Sequence, residues 1–148
     1  MEKELFLKKE ITINAPVSKV WEALTKPELT RKYMFECDAI SEWKKGSPLI
    51  WQGHQDGRVY VKGSIVNIEP QKLLQFTTFD PNSKLPDIAS NYVTVTYKLS
   101  SENGKTKLTV TDGDFAKVDD GEKRFQESIG GWEATLPKLK ETVEGIAF

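Results

Sequence analysis

The chain has 148 residues, of which 21 are Lys or Arg and 22 are Asp or Glu, so its formal net charge is −1. This length supports one domain with a sizeable core, and we expect a single domain over residues 1–148. A charge so near zero offers no field that recruits nucleic acid, and no apolar run approaches the roughly 20 residues of a membrane span. The single cysteine, Cys37, cannot form an internal disulfide, so we expect a soluble cytoplasmic protein.

The N-terminal segment alternates in the manner of a strand with one buried face. Leu5, Leu7, Ile11 and Ile13 share that face. Lys9 interrupts the apolar side, so we expect it near an open end of the strand.

Two short helices are predicted next. Pro16 suits the first turn of a helix, and Asn14 can cap it. Pro27 ends this helix and begins a second one, which continues to about Met34. The two form a V-shaped helical pair inserted after the first strand.

Six further strands are predicted at residues 37–43, 49–52, 58–68, 73–79, 92–99 and 106–112. Gly63 lies inside the third of them and indicates a bulge or a close-packing site. The triplet Glu102-Asn103-Gly104 predicts a hairpin turn. The loop at residues 80–90 is longer than a usual hairpin connection, and long loops often serve as lids.

A long helix is predicted at residues 119–145. Its apolar positions recur at spacings of 4, 3, 4, 3 and 4, which fit one stripe on a helix and no strand. The stripe consists of Phe125, Ile129, Trp132, Leu136, Leu139 and Val143. Asp119 is the predicted N-cap with Glu122 as the capping-box acid, and Gly145 is the predicted C′ residue.

Three residues inside this helix disfavour it. Gly130 and Gly131 each cost about 1 kcal/mol relative to Ala, and Pro137 costs about 3 kcal/mol and predicts a kink. The glycines either permit close packing against a sheet or shape a cavity beside the helix.

The order of elements predicts an α+β fold. An antiparallel meander with one apolar face must be covered, and the C-terminal helix is the only element long enough to cover it. A twisted sheet that curls around a helix leaves a gap, which is a natural pocket.

Short motifs along the chain resemble one known family. They are Ile13-Asn14-Ala15-Pro16, Val20-Trp21-Glu22-Ala23-Leu24-Thr25, Pro27-Glu28, Trp43-x-x-Gly46, Gly63-x-Ile65-x-x-Ile68-x-Pro70-x-x-Leu73, Thr106-x-Leu108-x-Val110-Thr111 and Gly131-Trp132-x-x-x-Leu136-x-x-Leu139. Together they are similar to the START-like (SRPBCC) superfamily, and within it to the activators of the heat-shock chaperone ATPase (Aha-type).

The resemblance implies a helix-grip fold, also found in the Bet v allergens, with a cavity between the sheet and the C-terminal helix. It leaves activity open, because the superfamily includes lipid carriers, hormone receptors, polyketide cyclases and co-chaperone domains. Eukaryotic co-chaperones of this type carry a separate N-terminal domain that also grips the chaperone. The 148 residues offer no room for one and look like a single-domain bacterial member.

Residues with catalytic or metal-binding chemistry are sparse. His54 is the only histidine, so we expect no metal site, no cofactor and no histidine-paired nucleophile, and we interpret it as a solvated loop residue. Cys37 is interpreted as a buried, inert thiol.

Asp112 has two interpretations. It continues the inward parity of Leu108 and Val110, so its carboxylate could reach the end of a pocket, where burial would raise its pKa. It could instead cap the loop at residues 112–114. Tyr97 also points inward, and its hydroxyl could join Asp112 in orienting a ligand or in a structural hydrogen bond.

The predicted function is non-catalytic binding of a small, largely apolar molecule, with a stress-related role. The expected ligand-binding residues are Met34, Phe35, Trp51, Phe76, Tyr97, Asp112, Phe125, Ile129 and Trp132. The alternatives are a co-chaperone-type interaction module, with a chaperone as partner, and a cyclase- or hydrolase-like enzyme that uses Asp112 and Tyr97.

Overall fold

A computed structural model of the chain describes residues 4–146, which form a curved antiparallel sheet of seven strands, three α-helices and two short 3-10 helices. In chain order the strands and α-helices are β1 (Leu7–Ile13), α1 (Val17–Thr25), α2 (Pro27–Tyr33), β2 (Cys37–Ser41), β3 (Pro48–Gly53), β4 (Val59–Glu69), β5 (Leu73–Thr78), β6 (Val93–Glu102), β7 (Lys105–Gly113) and α3 (Gly121–Ile146). The strand order is β1-β7-β6-β5-β4-β3-β2. None of the described helices is long and apolar enough to cross a membrane.

The long helix α3 and the sheet enclose one hydrophobic core. The C-terminal half of α3 supplies Leu136, Leu139 and Val143, all buried, and these join buried side chains of α1 and the sheet. Opposite them, the exposed side of α3 carries Glu127, Glu133, Lys138 and Glu141. This arrangement confirms the predicted α+β helix-grip fold.

The C-terminal part of α3 is fastened to the end of β1. Lys140 Nζ donates to the backbone oxygen of Thr12 at 3.0 Å, and Glu144 Oε2 accepts from the backbone N–H of Asn14 at 2.9 Å. Asn14 does not cap α1, which begins at Val17 with Pro16 as its N-cap and no side-chain cap. The interruption at Lys9 is explained by an ion pair with Glu133 of α3 at 3.6 Å.

The helical pair α1–α2 is held together by two buried polar groups. The hydroxyl of Tyr33 donates to the backbone oxygen of Ala23 at 2.6 Å. Thr30 Oγ1 lies 3.1 Å from the carbonyl oxygen of Cys37 and accepts from the N–H of Ala39 at 2.9 Å. These bonds pin α2 against β2 and set the position of the turn between them.

Two local features of the sheet were foreseen from single residues. A Cβ added at Gly63 would lie 1.7 Å from the backbone oxygen of Thr77, so β4 and β5 need a glycine there. Asn103 (φ 53°) and Gly104 (φ 80°) form the two-residue turn of the β6–β7 hairpin.

Both predicted ends of the long helix were wrong. The side chain of Asn91 accepts from the N–H of Asp119 at 3.0 Å and donates to its carboxylate at 3.1 Å. Asp119 is thus engaged with the preceding loop, and α3 begins two residues later, at Gly121. At the other end, Gly145 does not terminate the helix, which continues to Ile146.

Candidate functional site

A cavity of about 650 Å³ lies between the sheet and the N-terminal half of α3. Strands β3 to β7 supply its floor and far end, and Trp132 of α3 covers it. Its mouth is formed by the turn after α2 and by the turn between β3 and β4, where Phe35, Asp56 and Tyr60 are exposed. The cavity therefore has a polar rim and a largely apolar, aromatic interior.

Seven of the nine residues predicted to bind a ligand line this cavity, namely Met34, Phe35, Trp51, Phe76, Tyr97, Asp112 and Trp132. Phe125 and Ile129 do not line it. Phe125 instead meets Phe115 edge to face, with ring centroids 5.8 Å apart. The apolar stripe winds around α3, so its first two residues, Phe125 and Ile129, lie outside the cavity.

The structure adds lining residues that the sequence analysis did not single out. Val61, Thr78 and Val95 come from three neighbouring strands, and Val95 shares the inward parity of Tyr97. That parity could have identified Val95. His54 lies at the rim, half exposed, with Nδ1 3.1 Å from Asp38 Oδ2.

The glycine pair of α3 neither packs closely nor shapes the cavity. A Cβ added at Gly130 or Gly131 would meet nothing within 4 Å, and neither residue lines the cavity. The close-packing interpretation of these glycines was wrong, because the sheet does not approach them. Close backbone approach occurs at Gly63 instead.

Aromatic rings form a continuous wall across the cavity. Trp51 lies 6.1 Å from Phe76 between ring centroids, Phe76 lies 5.6 Å from Tyr97, and Tyr97 lies 5.9 Å from Trp132. The last pair is nearly perpendicular, at 89°. Edge-to-face contacts of this kind hold rings in fixed orientations, so the wall is a preformed surface.

Asp112 lines the cavity and is only 5% exposed. Its Oδ2 accepts a hydrogen bond from Ser128 Oγ at 2.6 Å and one from Trp132 Nε1 at 3.1 Å. Its Oδ1 is buried and has no hydrogen-bond partner among the described residues. The interpretation of Asp112 as a loop cap was wrong, because β7 continues to Gly113 and Asp114 caps the following turn instead.

Burial shifts the pKa values of two groups that line this cavity. It raises the pKa of Asp112, while the hydrogen bonds from Ser128 and Trp132 and the charge of Arg124 act in the opposite direction. Burial also raises the pKa of Tyr97, and the nearby Asp112 adds to the effect. The hydroxyl of Tyr97 makes no hydrogen bond to Asp112, although the two residues lie on adjacent strands.

Asp112→Asn is expected to leave the free energy of unfolding unchanged or higher at neutral pH. Burial raises the folded-state pKa of the wild-type carboxyl. At pH values between the unfolded pKa of about 3.9 and this raised pKa, the folded protein therefore binds more protons than the unfolded chain does. The stability contributed by this group therefore falls as pH rises through that window. Asn at position 112 keeps an oxygen that accepts from Ser128 and Trp132. It cannot ionise, so the variant does not lose stability as the pH rises.

Urea titrations of the wild type and of Asp112→Asn between about pH 4 and pH 7 measure this effect. The advantage of the variant should shrink as the pH falls. A variant less stable than the wild type by more than about 2 kcal/mol at pH 7 would contradict it.

The rim contains strained backbone. Phe35 (φ 50°) and Glu36 (φ 59°) both lie in the left-handed region, which is unfavourable for bulky residues. Phe35 is also 65% exposed. Strain of this kind costs about 1–3 kcal/mol per residue and concentrates at functional sites.

Nearby, the hydroxyl of Tyr60 donates to Asp56 and lowers the pKa of that carboxyl.

A second cavity of about 600 Å³ adjoins the first and shares Val61, Thr78 and Asp112 with it. The long loop predicted as a lid borders this second cavity. Asn91 fastens the end of that loop to the segment before α3, as described above, and Lys62 forms an ion pair with Asp87. Within residues 4–146, no cluster of His, Cys, Asp or Glu is arranged to hold a metal ion.

The sequence model of the family described as "Activator of Hsp90 ATPase homolog 1-like protein" matches residues 14–144. The solution structure of ChR145 from Cytophaga hutchinsonii is similar over 98% of this chain and 97% of its own, with 34% identity and a TM-score of 0.77. The crystal structure of MLL2253 from Mesorhizobium loti, at 21% identity, covers 97% of this chain and 99% of its own with a TM-score of 0.74.

The crystal structure of CalU16 from Micromonospora echinospora is also similar, with 21% identity and a TM-score of 0.73, over 93% of this chain and 75% of its own. At that identity, CalU16 and MLL2253 are evidence for the fold alone. No curated protein matches the chain.

Proposed function

The chain belongs to the family of Activator of Hsp90 ATPase homolog 1-like proteins, and we propose that this member binds a small, largely apolar molecule in the first cavity without catalysing a reaction. The observation that carries this proposal is the cavity of about 650 Å³ between the sheet and α3. Ligand pockets of proteins commonly measure about 300–1,000 Å³ and are lined mainly by apolar and aromatic side chains.

The two halves of α3 support this proposal by their contrast. In the C-terminal half, Leu136, Leu139 and Val143 are buried and fill the core. In the N-terminal half, Trp132 is only partly buried and lines the cavity instead. Filling the same space with side chains would stabilise the protein by about 25 cal/mol for each Å² of apolar surface removed from water. The chain leaves this space unfilled although filling it would add stability, and this is a reason to infer that a ligand occupies it.

The polar groups of the cavity also favour binding over catalysis. The hydrogen bonds from Ser128 and Trp132 fix the orientation of Asp112, and Tyr97 is not bonded to it. A fixed carboxylate in an apolar cavity orients one polar group of a bound molecule. We place this function in the cytoplasm, because the one thiol, Cys37, is buried and free.

Val95→Phe is expected to weaken binding of the neutral fluorescent probe N-phenyl-1-naphthylamine by at least about tenfold and to change the free energy of unfolding by less than about 1 kcal/mol. Val95 lines the cavity, so a phenyl ring there extends into open space. Fluorescence titration and urea denaturation of the same samples measure both quantities. Native mass spectrometry of protein purified from its own host would show a co-purifying ligand directly.

Val110→Phe is the matched control for this experiment. Val110 is 0% exposed and lies in the core outside the cavity, so the same enlargement overpacks the core and should cost about 1–3 kcal/mol. Probe binding to the folded fraction should persist. If wild-type protein bound no probe, or if Val95→Phe bound it as the wild type does, the cavity would not be the binding site.

A co-chaperone role is the second candidate, and the family's description favours it. A stress-related role would follow from it. The rate of ATP hydrolysis by an Hsp90-type chaperone separates the two candidates. Stimulation at a stoichiometric ratio, equal for the wild type and for Val95→Phe, would favour the interaction module over the ligand-binding cavity.

A further inference from the structure

We propose that the first cavity selects a molecule that carries one protonated amino group on an apolar, aromatic-sized body, and that the ammonium group lies beside the carboxyl group of Asp112. This inference rests on the proposed function and specifies the class of ligand. It is drawn from three features of the cavity: an unsatisfied oxygen, the sign of the lining charges and the aromatic wall.

The first feature is the unsatisfied oxygen. Ser128 and Trp132 both donate to Oδ2 of Asp112, and no described donor reaches Oδ1. A buried acceptor without a partner costs about 1–3 kcal/mol, and more when it is charged. Asp112 is 5% exposed and lines the cavity, so a positive charge bound in the cavity lies beside a carboxyl group that is short of hydrogen-bond donors.

The second feature is the sign of the lining charges. The first cavity is bordered by three carboxylates, those of Asp112, Glu36 and Asp56, and by no Lys or Arg of the described chain. The basic residues Lys84, Lys123 and Arg124 border the second cavity instead. Arg124 acts on Asp112 from that side, and its Nη1 donates to the backbone oxygen of Asn91 at 2.9 Å. The first cavity therefore attracts cations and repels carboxylates such as those of fatty acids.

The third feature is the aromatic wall. Trp132 donates to the same carboxylate that the ammonium would meet, and Tyr97 lies against Trp132 at 5.9 Å. Aromatic faces attract cations by about 0.5–2 kcal/mol, and desolvation strengthens this attraction. An ammonium group beside Asp112 therefore has a charge partner and neighbouring aromatic rings, while its apolar body contacts Phe76 and Trp51.

Three probes of nearly equal size test the inference at neutral pH: 2-naphthylmethylamine, 2-naphthalenemethanol and 2-naphthoate. Binding is measured by isothermal titration calorimetry. The amine should bind at least about tenfold more tightly than the alcohol, since only the amine carries a positive charge that the acidic side chains of the cavity attract. The naphthoate should bind more weakly than both.

Asp112→Asn should weaken binding of the amine by at least about tenfold and leave the alcohol within about threefold. Glu127→Gln is the matched control, because it removes one negative charge at the border of the second cavity only. It should leave the affinity for the amine within about twofold. A thermal melt of each variant shows that it is folded, and if Asp112→Asn did not fold, the ranking of the three probes on the wild type would decide.

The outcomes separate this inference from the proposed function. If the alcohol bound as tightly as the amine, or if Asp112→Asn bound the amine as the wild type does, the cavity would remain a ligand site and the selectivity for amines would be refuted. If none of the three probes bound, and N-phenyl-1-naphthylamine did not bind either, both proposals would fail.

Discussion

Gly63→Ala is expected to destabilise the protein by about 3 kcal/mol or more. The added Cβ would lie 1.7 Å from the backbone oxygen of Thr77 and 2.9 Å from its Oγ1. Overpacking typically costs about 1–3 kcal/mol where side chains can move aside, but here the obstacle is backbone in the neighbouring strand β5. Relief would require β4 and β5 to separate, with loss of hydrogen bonds between them.

Gly130→Ala is the matched control, because it adds the same methyl group where nothing lies within 4 Å. Ala is favoured over Gly inside a helix by up to about 1 kcal/mol, so this variant should be more stable than the wild type. Urea denaturation at neutral pH measures both changes. If Gly63→Ala lost less than about 1 kcal/mol, β4 and β5 would not approach as closely as the structure shows.

The elements of the fold were predictable because their signals are local. Alternation along β6 and the 3–4 spacing along α3 depend on which side chains face the core, and Asn103-Gly104 matches the turn that a two-residue hairpin needs. These signals do not depend on partners far away in the chain. The corresponding predictions were confirmed, with strand limits shifted by no more than three residues.

The helix ends were mispredicted because distant residues compete for the same groups. Asp119 has the right side chain for an N-cap, but Asn91, 28 residues earlier, occupies both its N–H and its carboxylate. Asn14 was expected to cap α1, but Pro16 is the N-cap, and the backbone N–H of Asn14 is bonded to Glu144 at the other end of the chain. Long-range bonds of this kind leave no mark on local sequence patterns.

The candidate site was only partly predictable, for a geometric reason. Parity along β6 and β7 places Tyr97 and Asp112 on the inner face of the sheet. Parity does not say where the cavity ends along α3, so Phe125 and Ile129 were assigned to it together with Trp132. It also does not show that Ser128 and Trp132 donate to one oxygen of Asp112 and leave the other unsatisfied.

Trp132→Ala should cost about 3 kcal/mol, at the lower end of the range of about 3–5 kcal/mol for large aromatic truncations in cores. Two contributions add here. The indole ring packs edge to face on Tyr97 at 5.9 Å, and its Nε1–H donates to Asp112 at 3.1 Å. The side chain is only partly buried and borders the cavity, so it loses fewer contacts than a core tryptophan would.

Trp132→Phe separates the two contributions, because it keeps an aromatic ring against Tyr97 and removes the N–H donor. The buried carboxylate of Asp112 then keeps only the hydrogen bond from Ser128, and the expected cost is about 1–2 kcal/mol. Loss of the donor raises the pKa of Asp112 further, since the bond from Trp132 opposes the effect of burial. The pH range over which stability falls with rising pH should therefore extend upward in Trp132→Phe.

Urea titrations of both variants across this range provide the measurement. A loss below about 1 kcal/mol in Trp132→Ala would mean that α3 does not pack on the sheet through this residue, and equal stability of Trp132→Phe and the wild type would mean that the indole N–H does not support Asp112.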